Sequence, residues 1–106
     1  MYAQLTYFDG PRTAEQLAAA DFATKERIIP ATAGLAGQVR TYQLRRDDGS
    51  EIVVSFAESE AALIEAHKAI MSTQLLPGED PRLLTGPDRV ELYPVLEVLD
   101  HEGPRS

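Results

Sequence analysis

Two residues of this chain combine a proton-transfer side chain with a position where the pattern predicts burial: His67 and Asp21. His67 sits among Leu63, Ile64, Ile70, Met71, Gln74 and Leu75, which recur at helical spacing, so its imidazole is expected to point into the core. A neutral ring there needs a partner for each nitrogen. Asp21 shares a helical face with Leu17, Ala20, Thr24 and Ile28, which puts a carboxylate where an apolar residue is expected. If the two runs are neighbouring helices, the residues lie at matching heights and can pair. The carboxylate would then fix the histidine tautomer and raise its basicity for proton abstraction. His67 and Asp21 are therefore the candidate catalytic residues, against the plainer alternative of a satisfied core histidine with Asp21 in solvent. Candidate ligand contacts surround them. Thr24 neighbours Asp21, and Met71 and Gln74 share the His67 stripe. Tyr7 and Tyr42 lie on strand-like runs, Tyr7 on the face of Ala3 and Leu5 that is expected to meet the core, where a phenol could bind a carbonyl or phenolate. Arg40, with Gln43 and Gln4, could orient an anionic or quinone-like group.

The elements that must position these residues follow from local signals. Tyr2 to Phe8 reads as a strand ended by Asp9-Gly10-Pro11. Thr13 and Gln16 have capping-box spacing, opening an alanine-rich helix expected to run to Ile29, just before Pro30. Gln38 to Arg46 and Glu51 to Glu58 flank Asp47-Asp48-Gly49-Ser50 as a hairpin. Ser59 can cap a second helix, expected to end near Leu76 and Pro77. The segment from Pro77 to Asp88, rich in proline and glycine, is expected to be an extended arm toward another subunit. A last strand spans about Arg89 to Val98. Residues 1–99 are thus expected to form one domain and residues 100–106 a disordered tail.

The order strand, helix, strand, strand, helix, strand predicts an α+β, ferredoxin-like βαββαβ fold, a four-stranded antiparallel sheet with both helices on one face. Apolar residues occupy both alternating sets of the third strand, Ile52, Val54, Phe56 and Val53, Ser55, Ala57. Helices cover one side only, so a second sheet is expected on the other and the chain is expected to be a homodimer. Pro94 cannot donate a ladder hydrogen bond, which assigns the last strand to an edge.

The passage from Gly37 to Ile70, with Ala57-Glu58-Ser59-Glu60-Ala61-Ala62-Leu63 and then Ala66-His67, resembles the dimeric α+β barrel proteins, especially the antibiotic-biosynthesis monooxygenase domains. There the third strand runs into a Trp-x-Ser/Asp-x-x-Ala-Leu stretch followed by an Ala-His pair; here Ala57 stands at the tryptophan position and His67 arrives one residue late. The resemblance implies a homodimer with a pocket between sheet and helices, and reactions that range from cofactor-free quinone-forming oxygenation to haem degradation, alongside members with no activity. A small, aromatic or quinone-like ligand handled without cofactor is the leading expectation, with a non-enzymatic ligand-binding or structural protein as the alternative. The haem-degrading members use an asparagine and a tryptophan with their histidine, and this chain has neither.

Composition narrows the remaining chemistry. Seventeen acidic against ten basic residues give a net charge of −7, which disfavours nucleic acid and anionic membrane surfaces. The third strand also lacks the basic and aromatic pattern that stacks RNA bases. With no cysteine and two histidines, no metal site is expected, and no glycine motif for phosphates supports a nucleotide cofactor. The absence of cysteine and of any leader-like or membrane-spanning apolar run predicts a cytoplasmic protein.

Overall fold

A computed structural model describes residues 1–101 of the chain. The expected element order is present. β1 (Tyr2–Phe8) leads to α1 (Ala14–Ala23), a π-helical turn (Thr24–Ile28) and a short α2 (Ile29–Thr32); β2 (Gln38–Arg45) and β3 (Glu51–Ala57) form the hairpin; α3 (Glu60–Met71), a 3₁₀ turn (Pro81–Leu83) and β4 (Arg89–Pro94) complete it. The four strands make one antiparallel sheet in the order β2-β3-β1-β4, with Pro94 on an edge strand as its missing N–H requires. The proposed tail begins with Asp100 and His101, which carry no regular structure; residues 102–106 lie outside the described residues.

Side-chain alternation along this register divides the sheet into two faces of different chemistry. Arg45, which also donates to Glu51, bonds Asp21 of α1, and Ala57 packs with Tyr2 against Ala62 and Leu63 of α3. The helix-facing set is therefore Tyr2, Gln4, Thr6 and Phe8 with Thr41, Gln43, Arg45, Glu51, Val53, Ser55 and Ala57, joined at the β4 edge by Val90, Leu92 and Pro94. The opposite face carries Ala3, Leu5 and Tyr7 with Tyr42, Leu44, Ile52, Val54, Phe56 and Tyr93, and at its edge strands the charged Arg40, Arg89 and Glu91. Polar residues predominate at the centre of the covered face, while the open face is mostly apolar.

Three boundaries differ from expectation by more than one residue. The first helix does not stop at Ile29. The Ile29 N–H reaches back to the Thr24 carbonyl, five residues away, and the helix continues to Thr32. Pro30 has no N–H and its ring crowds the carbonyl four residues earlier, so a wider turn lets the chain pass a proline without ending. The second long helix stops at Met71 instead of Leu76. The Ser72 and Thr73 hydroxyls donate to the carbonyls of Ala69 and Ile70, and the Leu76 N–H donates to Glu79 Oε2 at 2.7 Å, so the last turn is satisfied without further helix. Gln74 and Leu75 consequently leave the stripe predicted for them. β4 ends at Pro94 rather than Val98, although Val95 N–H still bonds the Met1 carbonyl at 2.8 Å.

The segment 77–88 is a strap on its own helix, not an extended arm. Glu79 receives Arg27 Nε at 2.9 Å and Nη2 at 3.2 Å, and Arg27 Nη1 donates to Thr73 Oγ1 at 2.8 Å. Leu83 and Leu84 line a small depression together with Ala19 and Phe22 of α1.

Candidate functional site

The capping box at the start of α1 forms as its spacing predicts, Gln16 N–H donating to Thr13 Oγ1 at 3.1 Å and Thr13 N–H to Gln16 Oε1 at 2.8 Å. Two turns later Asp21 meets Arg45 of β2, whose Nη2 and Nη1 lie 2.7 and 3.2 Å from its two carboxylate oxygens. Arg45 Nε also donates to Glu51 Oε1 at 2.8 Å, and Arg12 Nη2 reaches the same oxygen at 3.0 Å. Arg12 is fixed in turn by the Gly49 carbonyl at 2.8 Å and stacks over Phe8. Gly49 adopts a positive φ of 91°, and a Cβ there would crowd the Arg12 backbone, 3.0 Å from its carbonyl oxygen. The hairpin turn thus requires glycine twice over, for its conformation and for the approach of Arg12.

This Asp21–Arg45–Glu51–Arg12 chain fastens α1 to the end of the β2–β3 hairpin. It forms one side of an open cleft of about 480 Å³, lined by Asp21, Thr24, Lys25 and Ile29 from the helix side and by Gln43, Arg45 and Glu51 from the sheet. Arg45 holds the Asp21 carboxyl below the usual carboxylate range, and the two carboxylates hold the Arg45 guanidinium firmly protonated.

The residues singled out in the sequence divide three ways. Asp21, Thr24 and Gln43 line the cleft. His67 does not face the core: Ala62 and Leu63 are the buried residues of α3, with Ala66, Ala69 and Ile70 partly covered, and His67 lies at the margin of that face, exposed together with Ile64 and Met71. The apolar arc of this helix is wider than the strip that contacts the sheet, and its small residues, not its large ones, make the contact. The His67–Asp21 pair is accordingly replaced by the bidentate Arg45–Asp21 pair. Tyr7, Tyr42 and Arg40 stand on the open face of the sheet, opposite to the side expected for Tyr7. There Arg40 Nη1 donates to the Tyr42 hydroxyl at 3.0 Å, Arg89 lies 3.9 Å from the centre of the Tyr7 ring, and Tyr42 meets Phe56 edge to face. Glu91 and partial burial raise the Tyr7 phenol above its ordinary range. Met71 and Gln74 are exposed and do not line the cleft. Sequence reasoning missed Lys25, Ile29, Arg45 and Glu51. A signal existed for the last two, because Arg45 and Glu51 flank the Asp-Gly turn in directly opposed register and carry opposite charge.

No protein-family model matches the chain, and no curated protein matches it by sequence. Solved structures do. A point mutant of MhuD, crystallised with two manganese protoporphyrin IX molecules per active site, has a TM-score of 0.69 and 19% identity over 97% of this chain and all of that one. SnoaB, a cofactor-independent oxygenase from Streptomyces nogalater, has a TM-score of 0.52 and 20% identity over 94% of both chains. The chain shares their fold. At the level of fold, both likenesses support the resemblance to the antibiotic-biosynthesis monooxygenase domains. A metalloporphyrin does not fit the cleft described above, whose lining offers neither histidine nor tyrosine as an axial ligand. Among the described residues no group of three potential metal-ligating side chains converges, and no helix is long and apolar enough to cross a membrane.

Proposed function

We propose that the protein is a cytoplasmic homodimer that binds a small organic molecule, ring-containing or quinone-like, in the cleft between α1 and the β2–β3 edge. The observation that carries this reading is the cleft itself, about 480 Å³, lined by one apolar residue, Ile29, and by polar side chains of which Asp21, Arg45 and Glu51 are held in place by an ion-pair chain. Its volume lies within the range of about 300–1,000 Å³ usual for small-molecule sites.

The dimer reading rests on the open face and on the size of the core. Among the described residues, the buried apolar ones amount to Ala3, Ala23, Ala57, Ala62 and Leu63, with no large side chain fully enclosed. The surface of 7692 Å² exceeds the roughly 5,800 Å² expected for a folded monomer of 11.6 kDa. Leu96 is wholly exposed, and Val98 and Leu99 beyond it are also uncovered. A second copy packed on Leu5, Val54, Phe56 and Tyr42 would remove much of this excess.

Binding without turnover is the favoured form. Both carboxylates of the cleft are engaged by arginines, and a carboxylate with a depressed pKa is a weak proton acceptor. The likeness to a cofactor-independent oxygenase supports the second reading, oxygenation of a bound hydroxyaromatic. A thermal-shift screen of quinones and hydroxyaromatic compounds, followed by an oxygen-electrode assay of each hit, separates them. The binding reading expects stabilisation by at least one compound, near 2.7 kcal/mol at 100 times its dissociation constant, without oxygen uptake. Protein-dependent oxygen uptake favours the second reading, and a screen with no stabilising compound contradicts both.

A further inference from the structure

We propose that the cleft contains a subsite for a carboxylate group, formed by Lys25, Thr24 and Gln43, so that its ligand is a small carboxylate joined to an apolar ring or chain. This rests on the reading of the cleft as a ligand site. The charge arrangement points to it. Asp21 and Glu51 face the cleft but are matched by Arg45 and Arg12, so these four charges cancel within hydrogen-bonding distance. Lys25 is the remaining charge on the lining, and among the described residues its ammonium has no ion-pair partner. Thr24 beside it and Gln43 across from it also have no side-chain hydrogen bond there. Three free donors, one of them cationic, thus line one cavity whose carboxylates are already neutralised.

The helix geometry bears on the same point. Thr24 and Lys25 open the π-helical turn, and Ile29 follows it, so the irregular stretch that carries the chain past Pro30 also supplies three of the cleft residues. Ile29 is exposed and provides apolar surface for the body of the ligand. Because the chain carries a net charge of −7, long-range attraction does not draw an anion to this surface; recognition depends on contact with Lys25.

Benzoate and benzamide, which share a ring and differ in charge, test the subsite by calorimetric titration and amide chemical-shift mapping on the full chain. Benzoate is expected to bind more tightly than benzamide and to shift Thr24, Lys25 and Gln43. In Lys25→Gln its affinity should fall about tenfold, while benzamide changes less than about twofold. Lys68→Gln, a lysine of α3 outside the cleft, should leave both unchanged. Circular dichroism and sedimentation of each variant establish that it folds as the parent does. Equal binding of the two probes, or benzoate affinity unaffected by Lys25→Gln, overturns the subsite while leaving the cleft a ligand site. If neither probe shifts a cleft residue the subsite fails, and the cleft reading fails with it only if the quinone and hydroxyaromatic screen also yields no binder.

Discussion

Arg45 grips Asp21 with both terminal nitrogens and Glu51 with Nε, and so takes the carboxylate that helical periodicity assigns to His67. Periodicity locates a face to within a residue or so, but it does not say which of two cations reaches a carboxylate; that depends on a strand far away in sequence. Asp21→Ala should therefore cost no more than about 1 kcal/mol in urea denaturation, since Asp21 is more than half exposed. Glu79 is a different case. Its side chain is 1% exposed and receives Arg27 in a two-pronged bond together with the Leu76 N–H. Glu79→Gln should cost about 3 kcal/mol, because it leaves a nearly buried guanidinium without its counter-charge. Arg27 holds the folded-state pKa of Glu79 below the ordinary glutamate value near 4.5. The stabilisation is then complete above that value and is lost as pH falls through the depressed one. Denaturation curves of wild type and Glu79→Gln should converge in acid, and a gap that persists there contradicts the assignment.

At the level of elements, the signals that proved sufficient were local ones. The Thr13–Gln16 box, the Asp-Gly turn and the Ser59 cap each depend on residues within four positions of one another, and each formed as read. The two misread helix ends both involve competition between the helix ladder and something outside it. Pro30 ends most helices but here is passed by a π-turn, and Leu76 forsakes a helical carbonyl for Glu79. The division of the sheet into two faces was also legible in alternation, but which face meets the helices was not, because β1 and β3 carry apolar residues on both. Val53 proves to face the helices and Val54 the open side. A tight approach further links β2 and α3. Gly37 has φ 83°, and a side chain on it would lie 2.8 Å from the Ala62 Cβ. Gly37→Ala should destabilise the fold by about 2 kcal/mol or more, from the left-handed backbone and from the clash with a buried alanine. A melting temperature equal to the parent's argues against that packing.

For the whole molecule, the sheet separates two tasks. On the proposed reading, its helix-covered face would form the floor of the ligand cleft and its apolar face would receive a second copy. Val54→Asp, on the open face, should yield monomer or unfolded chain in analytical ultracentrifugation at micromolar concentration, whereas Gln43→Ala, on the cleft side, should remain dimeric. A folded wild-type monomer under those conditions removes the dimer from the account. The central claim is the position of the ligand, and amide chemical-shift mapping with a compound selected by thermal shift tests it most directly. Perturbations are predicted at Asp21, Thr24, Lys25, Ile29 and Gln43; perturbations confined to His67 and Met71, or to Tyr7, Tyr42 and Tyr93, would contradict it.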